Sequence, residues 1–159
     1  MDFGSGEGKY TLPVASVVGD RGTVYAVEKD AKKLKELLEK ARSAGMHNIV
    51  GMHTQEEAGI DLEDRSLHAA LLFDVLHLYY FPEPEQRARV LDEVHRVLKD
   101  ESLLLLYPTH MDARELAKEV EARGFRLKAR QSGDMFHNGR TEKGSVLVFT
   151  KERHAGRRP

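Results

Sequence analysis

Short apolar, β-branched runs alternate with segments of helical periodicity along the whole chain, and this alternation is typical of a parallel α/β sheet. The predicted strands cover residues 23–27, 48–53, 69–73, 102–107, 125–130 and 145–151, and the predicted helices cover residues 9–18, 30–44, 82–98 and 112–123. The run 69–73 is almost entirely apolar, which predicts a central strand covered on both faces. The last two strands have only a polar segment between them, so we expect an antiparallel pair at the end of a mostly parallel, doubly wound sheet in three layers.

Length and charge narrow the possible partners. The chain has 159 residues, which suits one domain. We expect this domain to cover residues 1–152, followed by a basic tail over residues 153–159. The 25 Lys and Arg and 26 Asp and Glu leave a net charge of -1. No global basic field therefore attracts a phosphate backbone or an anionic membrane, and nucleic acid is a disfavoured partner.

Cysteine content and hydropathy narrow the compartment and the chemistry. The chain has no cysteine, which excludes disulfides, thiolate metal sites and thiol nucleophiles. No apolar run approaches the roughly 20 residues that a membrane-spanning helix needs. We therefore expect a cytoplasmic protein without a membrane partner.

A glycine-rich segment, Asp2-Phe3-Gly4-Ser5-Gly6-Glu7-Gly8, stands where the first strand is expected to turn into a helix. Glycines let the backbone approach a ligand closely, and a helix start offers unpaired N–H groups to the ligand's polar or anionic part. Glu28 follows the next strand, 20 residues after Gly8. Nucleotide-binding α/β units place there the acid that hydrogen-bonds ribose hydroxyls. Loop and acid together indicate a nucleoside-containing cofactor.

The glycine spacing disfavours a dinucleotide such as NAD, because Lys9 stands where that fingerprint requires its third glycine. The segment instead resembles the first motif of the class I S-adenosylmethionine-dependent methyltransferases, Asp-x-Gly-x-Gly-x-Gly, and especially their small-molecule methyltransferase-like group. Residues 24–28 resemble the second strand of that family, with its ribose acid. Residues 71–77 resemble its fourth strand and the exit from it, and residues 94–99 resemble the end of the helix that follows.

The resemblance implies a Rossmann-like fold, S-adenosylmethionine as cofactor and a set of cofactor-binding residues. These are Asp2, Gly4, Ser5, Gly6, Glu7, Gly8, Glu28, Lys29, Glu56, Glu57, Phe73 and Asp74. In the family, the glycine loop wraps the methionine part and the acid at Glu28 binds both ribose hydroxyls. An acid after the third strand meets the adenine amino group, for which we prefer Glu56 over Glu57. The backbone around residues 72–74 would meet the ammonium group.

Three histidines are candidates for removing a proton from the methyl acceptor. Ligands of open α/β sheets bind outside the carboxyl ends of the strands, so histidines near those ends are the ones to consider. We rank His77 first, then His110 and His137. A metal ion held by these three is disfavoured because their spacing matches no ligand motif, and no metal is predicted. Residues 79–81 either form an aromatic rim for the acceptor or pack under the following helix.

We expect methyl transfer to oxygen, nitrogen or carbon of a small-molecule acceptor. Members of the family carry one or two helices before the first motif, whereas this chain begins at Met1. We therefore expect an open cofactor cleft, and with it either weak cofactor binding or a homo-oligomer that covers the cleft. The alternative is a catalytically inactive cofactor-binding or interaction module of a larger assembly. The sequence does not identify the acceptor.

Overall fold

The computed structural model describes residues 1–55, 58–137 and 140–153, without the side chains of residues 136 and 137. Within these ranges seven strands form one sheet flanked by four helices. The strands are β1 (Asp2–Phe3), β2 (Val24–Glu28), β3 (Ile49–His53), β4 (Leu67–Phe73), β5 (Leu98–Tyr107), β6 (Phe125–His137) and β7 (Arg140–Lys151). The helices are α1 (Thr11–Val18), α2 (Ala31–Ser43), α3 (Pro84–Val97) and α4 (Ala113–Glu121).

The strand order is β3-β2-β1-β4-β5-β7-β6. The first five strands run parallel to one another, and β7 pairs antiparallel with both β5 and β6. The order in which the chain adds strands to the sheet reverses at β1. The strands β2 and β3 lie on one side of β1, and β4 and β5 lie on the other. Ligands of doubly wound sheets bind at such a switch point, outside the carboxyl ends of the strands. The predicted Rossmann-like, three-layer α/β fold with a C-terminal antiparallel pair is confirmed.

Local signals explain where the helices begin. Asp30 and Asp112 cap α2 and α4, and each side chain accepts two backbone N–H bonds from the first helical turn. Pro84 is the first residue of α3, where its missing N–H costs no helical bond. The first helix begins at Thr11, two residues later than predicted, and holds Pro13 within its first turn.

Two apolar clusters fix the helices to the sheet. The larger one joins one face of the sheet to α3 and α4 through fully buried residues that include Leu72, Val90, Leu91, Val94, Leu104, Leu106, Leu116, Val120 and Phe149. The smaller one lies under α2 and consists of Ala26, Leu34 and Leu37. This packing fixes the carboxyl ends of the parallel strands, where the side chains of a site have to be positioned accurately.

The last two strands are longer than predicted. The sequence pattern predicts a polar connection over residues 131–144, but the structure pairs β6 with β7 from Phe125 and Lys151 to His137 and Arg140, with one register shift between Leu127 and Ala129. Residues 131–135 and 140–144 are exposed or half-buried. Because neither face of this ribbon is fully covered, no apolar alternation marks it in the sequence. Residues 138 and 139, which connect β6 to β7, lie outside the described residues.

The predicted basic tail lies outside the described residues except for Arg153, whose Nη2 donates to Glu101 Oε2 over 3.0 Å. The boundary at residue 152 therefore stays a prediction. Within the described part of the chain, no helix is both long enough and apolar enough to cross a membrane.

Candidate functional site

A cleft of about 710 Å³ opens at the carboxyl ends of the parallel strands. Its wall is formed by the glycine loop after β1, the ends of β2, β4 and β5, the segment after β3 and the loop between β4 and α3. Sites for small ligands and cofactors have volumes of roughly 300–1,000 Å³. The cleft therefore stands where the topology predicts a site and has the size that such a site needs.

The glycine loop closes tightly against the protein and leaves space on the side of the cleft. Gly4 and Gly6 have φ values of +75° and +53°, a left-handed backbone that glycine adopts without strain. A Cβ atom at Gly4 would lie 2.7 Å from Val75 Cγ2. At Gly6, which lines the cleft, a Cβ atom would have no neighbour within 4 Å. The loop is thus a cradle whose open side faces the cleft.

The backbone N–H groups of this loop are already bound within the protein. Gly4 and Ser5 both donate to the Val27 carbonyl, over 2.9 and 3.0 Å, and Gly6 donates to Glu28 Oε2 over 2.7 Å. We expected unpaired N–H groups for an anionic part of the ligand, and for these three residues that expectation is wrong. A carboxylate stands where a pyrophosphate would need donors, so the loop does not suit a dinucleotide.

Glu28 is the acidic group at one end of the cleft. Its residue is only 8% exposed, and its Oε1 accepts the Asp30 N–H over 2.9 Å. An ionised carboxylate offers about four acceptor positions, of which the N–H groups of Gly6 and Asp30 use two. The remaining positions can accept two hydroxyl donors, and a ribose diol supplies such a pair.

The structure brings most of the predicted cofactor-binding residues together. Those that line the cleft are Gly4, Ser5, Gly6, Glu7, Glu28, Lys29, Phe73 and Asp74. Asp2 lies behind the wall, where its Oδ2 accepts the Thr11 hydroxyl over 2.6 Å. Gly8 packs on α2, since a Cβ atom there would lie 2.8 Å from Leu37 Cγ. Glu56 and Glu57, the predicted adenine contacts, lie outside the described residues.

Asp74 occupies a strained position at the end of β4. Its φ is +59°, a conformation that a residue with a side chain adopts only where the surroundings impose it. Its N–H donates to the Tyr107 carbonyl over 3.1 Å, and its Oδ1 accepts the Thr109 hydroxyl. These contacts place the carboxyl group in the cleft wall with its side chain 38% exposed.

His77 lies behind Asp74 and is 5% exposed. Its Nδ1 accepts the Tyr79 N–H over 3.1 Å, so the neutral ring carries its proton on Nε2. That Nε2 lies 3.8 Å from Asp74 Oδ1. His77 is not part of the cleft wall. Its ring packs on that of Tyr80, which lines the cleft, with the ring centroids 4.5 Å apart.

The other two histidines are less connected to the cleft. The ring of His110 lies 5.1 Å from that of His77 in an edge-to-face arrangement, but His110 does not line the cleft. His137 is the last residue of β6, and its side chain is not among the parts of the chain that the structure describes. Among the described side chains, no group of three or more His, Asp or Glu is placed to hold a metal ion.

Comparison with known protein families identifies the domain. The sequence profile of a family described as methyltransferase domain matches residues 1–106, from β1 to the end of the parallel strands. The chain belongs to this methyltransferase family. A comparison with curated proteins found no match.

Solved structures show the same fold in other methyltransferases. An S-adenosylmethionine-dependent methyltransferase from Methanosarcina mazei superposes with a TM-score of 0.80 at 18% identity, covering 96% of this chain and 92% of that one. One from Aquifex aeolicus gives 0.69 at 21% identity, with coverages of 92% and 79%. Magnesium protoporphyrin IX methyltransferase from Synechocystis, solved with bound S-adenosylmethionine, gives 0.71 at 18% identity, with coverages of 95% and 68%. The chain is a class I S-adenosylmethionine-dependent methyltransferase.

The cleft of this methyltransferase fits S-adenosylmethionine by its own chemistry. Glu28 has free acceptor positions for a ribose diol, and the cradle at Gly6 would be filled by any larger side chain. Ser5 lines the cleft, and its buried hydroxyl has no hydrogen-bond partner among the described residues. A buried polar group of this kind is costly unless a ligand or water satisfies it. The site thus offers acceptors and a hydroxyl to the cofactor and no phosphate cradle.

Sequence reasoning missed two aromatic residues of the methyltransferase's cleft. Tyr10 immediately precedes α1, and Tyr107 is the last residue of β5; both line the cleft. The rule that selected His77 and His110, namely position at the carboxyl end of a strand, applies equally to Tyr107. Of the predicted aromatic rim, Tyr80 and Phe81 line the cleft, whereas Tyr79 is 83% exposed.

Proposed function

We propose that this methyltransferase transfers the methyl group to a small molecule that binds in the cleft beside the cofactor. The observation that carries the proposal is the cleft itself, whose volume of about 710 Å³ lies in the range of sites for small ligands. A polynucleotide acceptor would call for a basic surface, and the net charge of the chain is -1.

In this proposal the cofactor-binding residues keep the roles predicted from the sequence. S-adenosylmethionine, when bound, supplies a methyl group that its positively charged sulfur makes electrophilic. The chain then has to hold and align the two reactants and exclude water. Glu28 accepts the ribose hydroxyls, the loop from Gly4 to Gly8 lies along the methionine part, and Lys29 flanks the ribose end. The backbone around residues 72–74, with Phe73 and Asp74, meets the ammonium group of the methionine part.

We propose Asp74 as the group that takes the proton of the acceptor, with His77 as its positioning residue. Asp74 lines the cleft and is oriented by Thr109. His77 presents its Nε2 to the same carboxylate oxygen from behind, at 3.8 Å. Because His77 Nδ1 accepts the Tyr79 N–H, the neutral ring carries its proton on Nε2 and faces Asp74 with an N–H rather than with an acceptor. Direct proton removal by His77, His110 or His137 stays a prediction.

We also propose that the protein works in the cytoplasm and that a second copy covers the cleft. Leu78 and Tyr79 adjoin the cleft wall and are 55% and 83% exposed, and such a homo-oligomer would bury them. Analytical ultracentrifugation tests the proposed second copy. A protein that stays monomeric at every concentration, with or without S-adenosylhomocysteine, would contradict the homo-oligomer.

The acceptor class is tested by following a labelled methyl group. A heat-treated cell extract is separated by ultrafiltration into small molecules and macromolecules. Each fraction is incubated with the protein and methyl-labelled S-adenosylmethionine. We expect label to enter compounds of the small-molecule fraction, and Asp74→Asn to reduce this transfer about a hundredfold, the usual effect of losing a general base. Asp92→Asn is the matched control, because Asp92 lies on the outer side of α3, paired with Arg123.

Two results would contradict the proposal. Label in the retained fraction would show a macromolecular acceptor. No label in either fraction, from a folded protein, would favour the alternative of an inactive cofactor-binding module.

A further inference from the structure

The cleft collects the aromatic side chains of the chain. The sequence has five tyrosines, six phenylalanines and no tryptophan. Among the described residues, six of these line the cleft: Phe3, Tyr10, Phe73, Tyr80, Phe81 and Tyr107. Aromatic rings provide large apolar area with a defined geometry and commonly form the walls of small-ligand sites. Their concentration here indicates that the cleft recognises a ring in addition to the sugar end of a cofactor.

Three of these rings form a continuous row. The rings of Tyr10 and Phe73 lie 4.8 Å apart at 79°, and those of Phe73 and Tyr107 lie 6.2 Å apart at 71°. Both contacts are edge-to-face, which is a favoured arrangement of aromatic pairs. We refer to Tyr10, Phe73 and Tyr107 as the aromatic row; it runs from the start of α1 across β4 to β5.

The aromatic row and Glu28 occupy different ends of the cleft. Glu28 ends β2, and Tyr107 ends β5, with β1 and β4 between these strands. Neighbouring strands lie about 4.8 Å apart, so three spacings separate the two side chains by about 14 Å across the sheet. A ribose held at Glu28 therefore does not itself occupy the aromatic row.

Tyr107 is held in place before any ligand binds. Its ring packs on Gly144 of β7, where an added Cβ atom would lie 2.6 Å from Tyr107 Cε2. Its hydroxyl donates to Glu142 Oε1 over 3.3 Å. Burial raises the pKa of Tyr107 and of Tyr10, so both hydroxyls stay neutral near pH 7. Tyr10 and Phe73 are half-buried, which leaves part of each ring facing the cleft. Tyr107 is only 5% exposed and supports the Phe73 ring through their edge-to-face contact.

We propose that the aromatic row is the acceptor subsite and that the methyl acceptor carries a planar aromatic ring. This inference rests on the proposed function, because it assigns the acceptor of the same cleft. The rings of the row pack against a flat π-system with an electrostatic preference that a saturated ring does not share. Asp74 in the adjoining wall then faces a hydroxyl or amine on that ring.

The test compares 2-naphthol with decahydro-2-naphthol, its saturated analogue, on protein loaded with S-adenosylhomocysteine. Because the chain has no tryptophan, the emission of naphthol reports its binding directly, and the saturated compound is measured by competition. We expect 2-naphthol to bind about tenfold more tightly than its analogue, the scale of two or more aromatic contacts.

A glycine pair supplies the variant and its matched control. Gly144 and Gly133 face each other across the β6 and β7 ladder, but only Gly144 contacts Tyr107; a Cβ atom at Gly133 meets nothing within 4 Å. A Cβ atom at Gly144 would also lie 2.7 Å from Met135 Cγ, so Gly144→Ala crowds the Tyr107 ring together with the Met135 side chain. We expect it to weaken naphthol binding about tenfold while the affinity for S-adenosylhomocysteine stays unchanged. Gly133→Ala should leave both affinities unchanged.

The outcomes separate the two proposals. Equal binding of naphthol and its analogue, or unchanged naphthol binding by Gly144→Ala, would overturn the aromatic subsite while the proposed function stands. Failure of the folded wild-type protein to bind S-adenosylhomocysteine would overturn the proposed function and the subsite together.

Discussion

Asp2 is a carboxyl group that supports the cleft from behind rather than from its wall. It is 3% exposed and accepts the Thr11 hydroxyl over 2.6 Å, which ties β1 to the start of α1. Burial raises the pKa of Asp2 from 3.8 to about 6, and the hydrogen bond from Thr11 opposes this shift only in part. The charged form of Asp2 therefore lowers the stability of the fold, while the contact between Asp2 and Thr11 positions the glycine loop.

This shift predicts how stability depends on pH. The pKa of Asp2 is higher in the folded than in the unfolded state, so folding binds a proton between these two values. Stability from this group is complete below about pH 4 and is lost as the pH rises through about 6, on the order of 3 kcal/mol in total. Asp2→Asn keeps the shape and removes the titration. Urea unfolding from pH 4 to pH 7 should show wild type losing stability relative to the variant; parallel curves would contradict this account.

At the level of single residues, the sequence predicts Glu28 and the glycine loop at one end of the cleft better than it predicts the aromatic row at the other. Glu28 and the loop from Gly4 to Gly8 belong to one local unit, β1, α1 and β2, so their spacing in the sequence locates them. The aromatic row depends on contacts between residues far apart in the chain, such as Phe73 and Tyr107. The hydrophobic periodicity of a sequence does not show which side chains contact each other across neighbouring strands.

At the level of elements, a buried arginine joins α3, α4 and the loop that borders the cleft. Arg87 on α3 donates from Nε and Nη2 to the two carboxylate oxygens of Glu119 on α4, both over 2.8 Å. Its Nη1 donates to the Phe81 carbonyl over 2.6 Å and to the Pro82 carbonyl over 3.2 Å. One side chain thus fixes the position of the β4–α3 loop, and Phe81 with it, relative to both helices.

Arg87→Ala is expected to lower the free energy of unfolding by about 2–3 kcal/mol, because it leaves a carboxylate and carbonyl groups without their donor. Arg123→Ala is the matched control: Arg123 bridges from the end of α4 to Asp92 on α3, with side chains 41% and 56% exposed. An exposed pair of this kind contributes at most about 1 kcal/mol. Urea denaturation of both variants measures the difference, and an equal loss in the two would rule out the joining role of Arg87.

The elements themselves were predictable wherever one face of a strand or helix is covered. The central strand β4 and the helix α2 carry complete apolar signals, and the structure places both within a few residues of the prediction. The outer parts of β6 and β7 pair through backbone hydrogen bonds with both faces largely exposed. Polar residues and glycines are tolerated there, so the sequence pattern resembles a loop.

For the whole molecule, the order of the strands turns these elements into a site. Placing β1 between β2 and β4 brings the glycine loop, Glu28 and Asp74 to one edge, and β5 adds Tyr107 beside them. The family resemblance predicted a Rossmann-like fold, and the apolar pattern predicted a mostly parallel, doubly wound sheet, but neither predicted the order of the strands. Recognising the aromatic row needed the structure, because its three residues come from three separate segments, the start of α1, β4 and β5.

The most direct test of this account is a calorimetric titration of S-adenosylhomocysteine into wild type, Glu28→Gln and Glu39→Gln. Glu39 is the matched control, an exposed glutamate on α2 paired with Lys35. Losing a charged hydrogen bond to ribose should weaken binding by about 1.5–3 kcal/mol in Glu28→Gln, while Glu39→Gln binds as wild type and NAD does not bind. Wild-type affinity in a folded Glu28→Gln protein, or binding of NAD as tight as that of S-adenosylhomocysteine, would contradict the account.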